Sequence, residues 1–321
     1  MLLNIFKSKN PIVLSFILLI SMSFWIKGFL SPFQNLENSS PMPLYQLAMT
    51  ILNNMRLQYF FGLILFILQM LYLLVISNNF KIFNENFFLH LFIFTLLVHS
   101  QTALHQLYPV YFSNLLLMMG VFRIFKSTNS DNAIHDYFEA AFLISLASLF
   151  YFNMLFFLLV VWIGLLVIRP LIWREWVASV IGAFIPYLFV SSYYFIVVDT
   201  QYFWLFELLK HIKFGFTPLK LDLVFVFTFG FSVFFIFIQS VKNKNLTIST
   251  RKIKVLLQWI LFIALLVFLF IDRNIIQFVF IFAFVASFIL PNFLVDIKRK
   301  WIANLLLFAL IVVSVYQQFF S

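Results

Sequence analysis

The stretch from Asp136 to Trp176, DYFEAAFLISLASLFYFNMLFFLLVVWIGLLVIRPLIWREW, limits the possible folds more than any other. Between Glu139 and Arg169 it carries no Asp, Glu, Lys, Arg or His. A run of about 30 such residues has no use in a water-soluble domain, whereas the hydrocarbon core of a bilayer requires one. The polar break at Asn153 divides it into two arms, 138–152 and 154–168. The sequence therefore predicts a short helical hairpin over 138–168, entering the membrane at Glu139 and returning to the same face at Arg169. At ~1.5 Å per residue each arm spans about 23 Å, less than a ~30 Å hydrocarbon core. The pair either thins the bilayer or is re-entrant and buried among other helices.

Composition extends this reading to the whole chain. Of 321 residues, 64% are hydrophobic and 10% charged, with a mean hydropathy of +1.05. Soluble domains are about 25% charged, so this chain lacks the charge to cover its surface in water. The expectation is a single integral membrane domain over 1–321, an all-α polytopic transmembrane helix bundle of about 11 spans, or nine if the hairpin is re-entrant. The 49 Phe residues serve as lipid-facing apolar surface. The net charge of +10 sits in short inter-span loops and forms no basic face, which argues against nucleic acid. With no Cys, disulfides and Cys-type metal sites are excluded.

The remaining spans are expected at about 11–30, 57–76, 87–99, 109–125, 177–198, 223–240, 255–271, 275–291 and 301–320. The first is read as a retained anchor, since no small-residue cleavage site follows it. A kink or break is expected at Pro186. Residues 31–56 form an outer loop, and the spacing of Leu44, Leu47, Ala48, Ile51 and Leu52 predicts an interfacial helix within it. An outer amphipathic loop is expected over 199–222. Of the 21 Lys and Arg residues, Lys27, Arg56, Lys210, Lys213, Lys220 and Arg273 fall outside in this arrangement and the rest inside. The positive-inside rule then gives a bacterial inner-membrane protein with a cytoplasmic N-terminus and a periplasmic C-terminus.

Candidate functional residues cluster on the inner face. Arg123, Arg169 and Arg174 are candidates for binding a phosphate or lipid headgroup, because guanidinium groups match phosphate geometry. Asp136, Glu139 and Glu175 are their candidate partners, and Asp136 and Glu139 are spaced to share one helical face. Trp173 and Trp176 read as interfacial anchors. Within the membrane, His99, His105 and Asn114 are the polar candidates, with a helix–helix hydrogen bond as the structural role for Asn114. His90 is expected to bond a neighbouring carbonyl. His99 and His105 are six apart, which suits no metal pair on one helix, and no metal or cofactor motif occurs. Glu37, an acid in the first outer loop, is a weaker candidate for chemistry on a polyprenyl-linked donor.

The stretch from Tyr137 through Phe195 resembles an uncharacterised family of polytopic inner-membrane proteins from Bacteroidota. The resemblance lies in Arg169, Pro170, Trp173, Arg174, Glu175 and Trp176, followed by Gly182, Pro186 and Tyr187. Family members often carry a proline at the hairpin tip, where this chain has Asn153. The resemblance implies the fold and the membrane but no catalytic residue. Three functions fit: a non-enzymatic component of cell-envelope biogenesis, an enzyme or flippase acting on lipid-linked glycan, and a solute transporter. Membrane lipids are the expected partners, together with other envelope membrane proteins.

Overall fold

The computed structural model describes residues 6, 10–30, 42–80, 82, 88–101, 107–169, 172–197, 230, 247–271, 274–297 and 299–320. Among these, eleven α-helices and two 3₁₀ segments form the fold, without strands. The helices are α1 (Pro11–Leu30), α2 (Pro43–Ile51), α3 (Met55–Phe80), α4 (Leu89–His99), α5 (Pro109–Lys126), α6 (Ile134–Ser148), α7 (Leu158–Ile168), α8 (Trp173–Val197), α9 (Ile248–Phe270), α10 (Ile275–Asp296) and α11 (Lys300–Phe320). Four of them, α3, α8, α9 and α10, are long and apolar enough to cross a membrane. Apart from residue 230, the expected span at 223–240 lies outside the described residues, as do the loop at 199–222, Glu37, His105 and Pro170.

Contacts at the helix ends fix the directions. Ser127 meets Tyr137 at one end of α5 and α6, and Phe112 stacks on Phe150 at the other, so these two run antiparallel. Ala133 meets Glu175 at the start of α6 and α8, and Ser148 meets Tyr187 near their far ends, so those two run parallel, with α7 descending between them in sequence. Helix α9 starts beside α7's last turn, where the Lys252 ammonium donates to the Ile168 carbonyl at 2.7 Å. Asn274, at the start of α10, reaches Tyr108 and Tyr151 at the opposite end, 3.0 Å from each hydroxyl. Helix α3 runs parallel to α5, joined by Gln69–Asn114 and Phe80–Phe125, and α4 runs back along α3. The bundle thus has two distinct ends. One, the ionic end, holds Arg123, Lys126, Asp136, Arg169 and Glu175. The other, the amide end, holds Tyr151, Asn153, Asn274 and Gln277.

The hairpin forms, but its arms are unequal. Helix α6 has 15 residues. The returning arm is a six-residue 3₁₀ segment, Phe152–Phe157, followed by the 11 residues of α7. Because a 3₁₀ segment rises ~2.0 Å per residue, that arm spans about 28 Å, close to bilayer thickness. Asn153 therefore sits in the descending segment instead of marking a turn. Arg169 ends α7 in an extended conformation (φ −119°, ψ 150°), as expected of a residue that precedes proline.

Helix α8 continues through Pro186 without the expected break. Proline removes one backbone bond and disturbs the turn before it. Here the Ser145 hydroxyl donates to the Ala183 carbonyl at 2.6 Å, so a hydroxyl from α6 supplies a donor where the helix is weakened. The α6–α8 contact is the most extensive in the fold and rests on small residues. A Cβ at Gly182 would collide with the Phe138 backbone carbonyl, and one at Gly120 would lie 3.2 Å from the Ala140 carbonyl oxygen. Close backbone approach through small residues is how helices associate where no hydrophobic effect drives them. Helix α10 is the centre, with 83% of its apolar window buried against 22% for α8. Phe280 of α10 packs on Phe94 and Tyr111.

Candidate functional site

At the ionic end, the last turn of α5 faces the first turns of α6, because α5 turns through the short 3₁₀ segment Ser127–Asn129 into α6. Arg123 Nε lies 2.6 Å from Glu139 Oε2, and Lys126 Nζ lies 3.6 Å from Asp136 Oδ1. Ser130 Oγ also donates to Asp136 Oδ2, at 3.4 Å. Asp136 and Glu139 thus share a face, as their spacing predicts. Their partners come from α5 and not from Arg169 or Arg174. The Arg123–Glu139 pair is roughly one-third exposed, whereas Asp136 is buried beneath the exposed Lys126.

The third pair lies deeper. Arg169 Nη2 is 3.4 Å from Glu175 Oε1, with side-chain exposures of 12% and 2%. Glu175 Oε1 also accepts the Ala133 amide at 3.3 Å, which ties the start of α8 to the start of α6. Arg169 Nε and Nη2 and Glu175 Oε2 are buried without a hydrogen-bond partner. A buried pair of this kind is a constraint more than a source of stability, since desolvation offsets most of the attraction.

Arg174 does not join Arg169. One position before Glu175, it points outward with its guanidinium 5.8 Å from the Trp173 ring centroid. Trp173 is 69% exposed and Trp176 is half-buried against the core. The three arginines therefore occupy three separate settings. Lys252 is a residue that sequence reasoning missed. It lies 84 residues from Ile168 along the chain, and no local spacing links the two.

Inside the bundle, Asn114 is fully buried and donates to Gln69 Oε1 at 3.2 Å, and Gln69 donates to the Tyr111 carbonyl at 2.7 Å. This is the helix–helix bond that its position suggests. His99 Nδ1 lies 3.0 Å from the Thr95 carbonyl oxygen, with its ring between Phe24 and Phe66. His90 Nε2 meets the Ser77 hydroxyl at 3.3 Å. At the amide end, Asn153 donates to Gln277 Oε1 at 3.3 Å and to the Tyr151 hydroxyl at 3.4 Å. Asn274 caps α10, its Oδ1 accepting the amides of Ile276 and Gln277.

An all-helical bundle with four span-capable helices and apolar side chains exposed along them defines a membrane protein. No known protein family, curated protein or solved structure matches the chain.

Proposed function

We propose that this chain is a multi-pass protein of the bacterial inner membrane, with its ionic end and N-terminus in the cytoplasm and its C-terminus in the periplasm. It serves there as a non-enzymatic component of cell-envelope biogenesis or assembly, alongside other envelope membrane proteins. The resemblance to the uncharacterised Bacteroidota family agrees with this placement. The observation that carries the reading is the pairing at the ionic end. Asp136, Glu139 and Glu175 are each held by a cation of the same bundle, through Lys126, Arg123 and Arg169. Charges committed to one another hold helices in register, whereas catalysis or transport needs groups aimed at a substrate.

Exchanging the partners of one pair tests this. In a strain depleted of its own copy, the Arg123→Glu/Glu139→Arg double variant should restore growth and resistance to detergent as fully as the unaltered chain. An ion pair with side chains 35% and 41% exposed tolerates exchange, and a substrate-facing constellation does not. A double variant that reaches the membrane at normal levels but fails to restore growth would overturn the reading in favour of an enzyme, flippase or transporter.

A further inference from the structure

We infer that the ionic end seats the phosphodiester of an anionic phospholipid between α7 and α9, on the ammonium of Lys252 beside the Arg169 side chain, which is 12% exposed. The site depends on the bilayer placement proposed above, but not on the non-enzymatic role.

Charge balance is the first ground. Among the described residues at this end, three carboxylates are taken by Lys126, Arg123 and Arg169, and the exposed Asp131 stands against Arg174, Arg251 and Lys252. Lys252 and its exposed neighbour Arg251 have no carboxylate of the described residues within ion-pair distance. Lys252 uses its ammonium on the Ile168 carbonyl, which leaves further N–H groups of the same nitrogen for an acceptor. That carbonyl belongs to the peptide unit leading directly into Arg169. Two cationic side chains therefore flank one peptide bond, with a single carboxylate between them. Glu175 is 1% exposed and accepts the Ala133 amide, whereas the Arg169 side chain is 12% exposed and Lys252 is partly exposed, so the carboxylate is the most deeply buried of the three.

The surface beneath the two cations is the second ground, and it distinguishes a lipid from a free anion. Leu166, three residues before Arg169 on α7, is 60% exposed, and Leu159, one heptad further, is 43% exposed. Trp259, seven residues after Lys252 on α9, is 39% exposed. The spacing of seven places Trp259 on Lys252's side of α9, and Leu159 on the side of Leu166 on α7, the helix that Arg169 closes in an extended conformation. Two adjacent helices thus each carry a cation at the ionic end and an apolar track leading away from it, as a headgroup and its acyl chains require. The other two arginines do not contribute. Arg123 is bonded to Glu139, and Arg174 lies over Trp173.

Native mass spectrometry of the full chain in a neutral detergent tests the site, with phosphatidylglycerol and phosphatidylcholine supplied in equal amounts. The unaltered chain should retain phosphatidylglycerol preferentially. Lys252→Gln should lower that retention about fivefold, the equivalent of one surface cation near an anionic leaflet, and Lys252→Arg should keep it. The Arg169→Gln/Glu175→Gln variant, which leaves no buried charge unpaired, should lose the preference while still melting cooperatively in lipid-free detergent. Millimolar inorganic phosphate should leave the adducts in place. Equal retention of the two lipids, an unaffected Lys252→Gln variant, or displacement by inorganic phosphate would each overturn the site. None of these results bears on the growth test of the Arg123–Glu139 exchange, so the two proposals fail separately.

Discussion

The two ends of the bundle hold helices together with different chemistry. At the ionic end, full charges pair across α5, α6, α7 and α8. At the amide end, neutral groups do the same work, with Asn153, Asn274, Gln277, Tyr108 and Tyr151 hydrogen-bonded across the 3₁₀ segment, α9's exit and α10. The Ser148 and Tyr187 hydroxyls join α6 to α8 there. In the orientation proposed above, the contrast follows the physics of insertion. Basic residues are retained on the side where the chain is made, and carboxylates that accompany them stay with their partners. Groups carried across the bilayer are cheaper to move when neutral. In that orientation the ionic cross-links lie on the side of synthesis and the neutral ones across the bilayer, at the end where the exposed Arg56 stands in the first turn of α3.

The largest test of that contrast is Glu175→Gln. It leaves the Arg169 guanidinium buried without its counter-charge and should cost about 3 kcal/mol, measured as a drop in the unfolding midpoint in detergent. Arg169→Gln/Glu175→Gln should recover most of the loss. Next comes Gly182→Ala, which strikes just inside the ionic end where a Cβ meets the Phe138 carbonyl. The cost should be about 2 kcal/mol, with α6 and α8 forced apart. At the neutral end Asn153→Ala should cost under about 1 kcal/mol, in keeping with the modest worth of interhelical hydrogen bonds in membranes. The smallest effect is Glu139→Gln, under about 0.5 kcal/mol, since a pair this exposed is screened by solvent. An Asn153→Ala cost exceeding that of Glu175→Gln would reverse the contrast.

Much of this was legible in the sequence where one rule dominated. Unbroken apolar runs with charged flanks place α1 at Pro11–Leu30 and α5 within a residue of the expected 109–125. The spacing of Leu44 through Leu52 marks α2. The shared face of Asp136 and Glu139 follows from helical period. What could not be read required knowledge of neighbours. Pro186 reads as a kink or a break in isolation, the helix is unbroken there, and the donor that accompanies it, Ser145, sits on another helix. Asn153 reads as a turn, but a partner 124 residues away holds it in a 3₁₀ segment. Arg169 and Arg174 look like a pair along the chain. On the helix, the intervening change in direction buries one beside Glu175 and leaves the other beside Trp173. Lys252 gives no local signal at all.

The most direct test of the two-ended account uses a property of the chain itself, its lack of cysteine. A single Cys introduced at Asp131, exposed at the ionic end, or at Asn53, exposed at the amide end, is the molecule's sole thiol. In intact spheroplasts a membrane-impermeant maleimide should label Asn53→Cys and leave Asp131→Cys unlabelled until the membrane is opened. Labelling of both positions in intact spheroplasts, or of Asp131→Cys alone, would contradict the account.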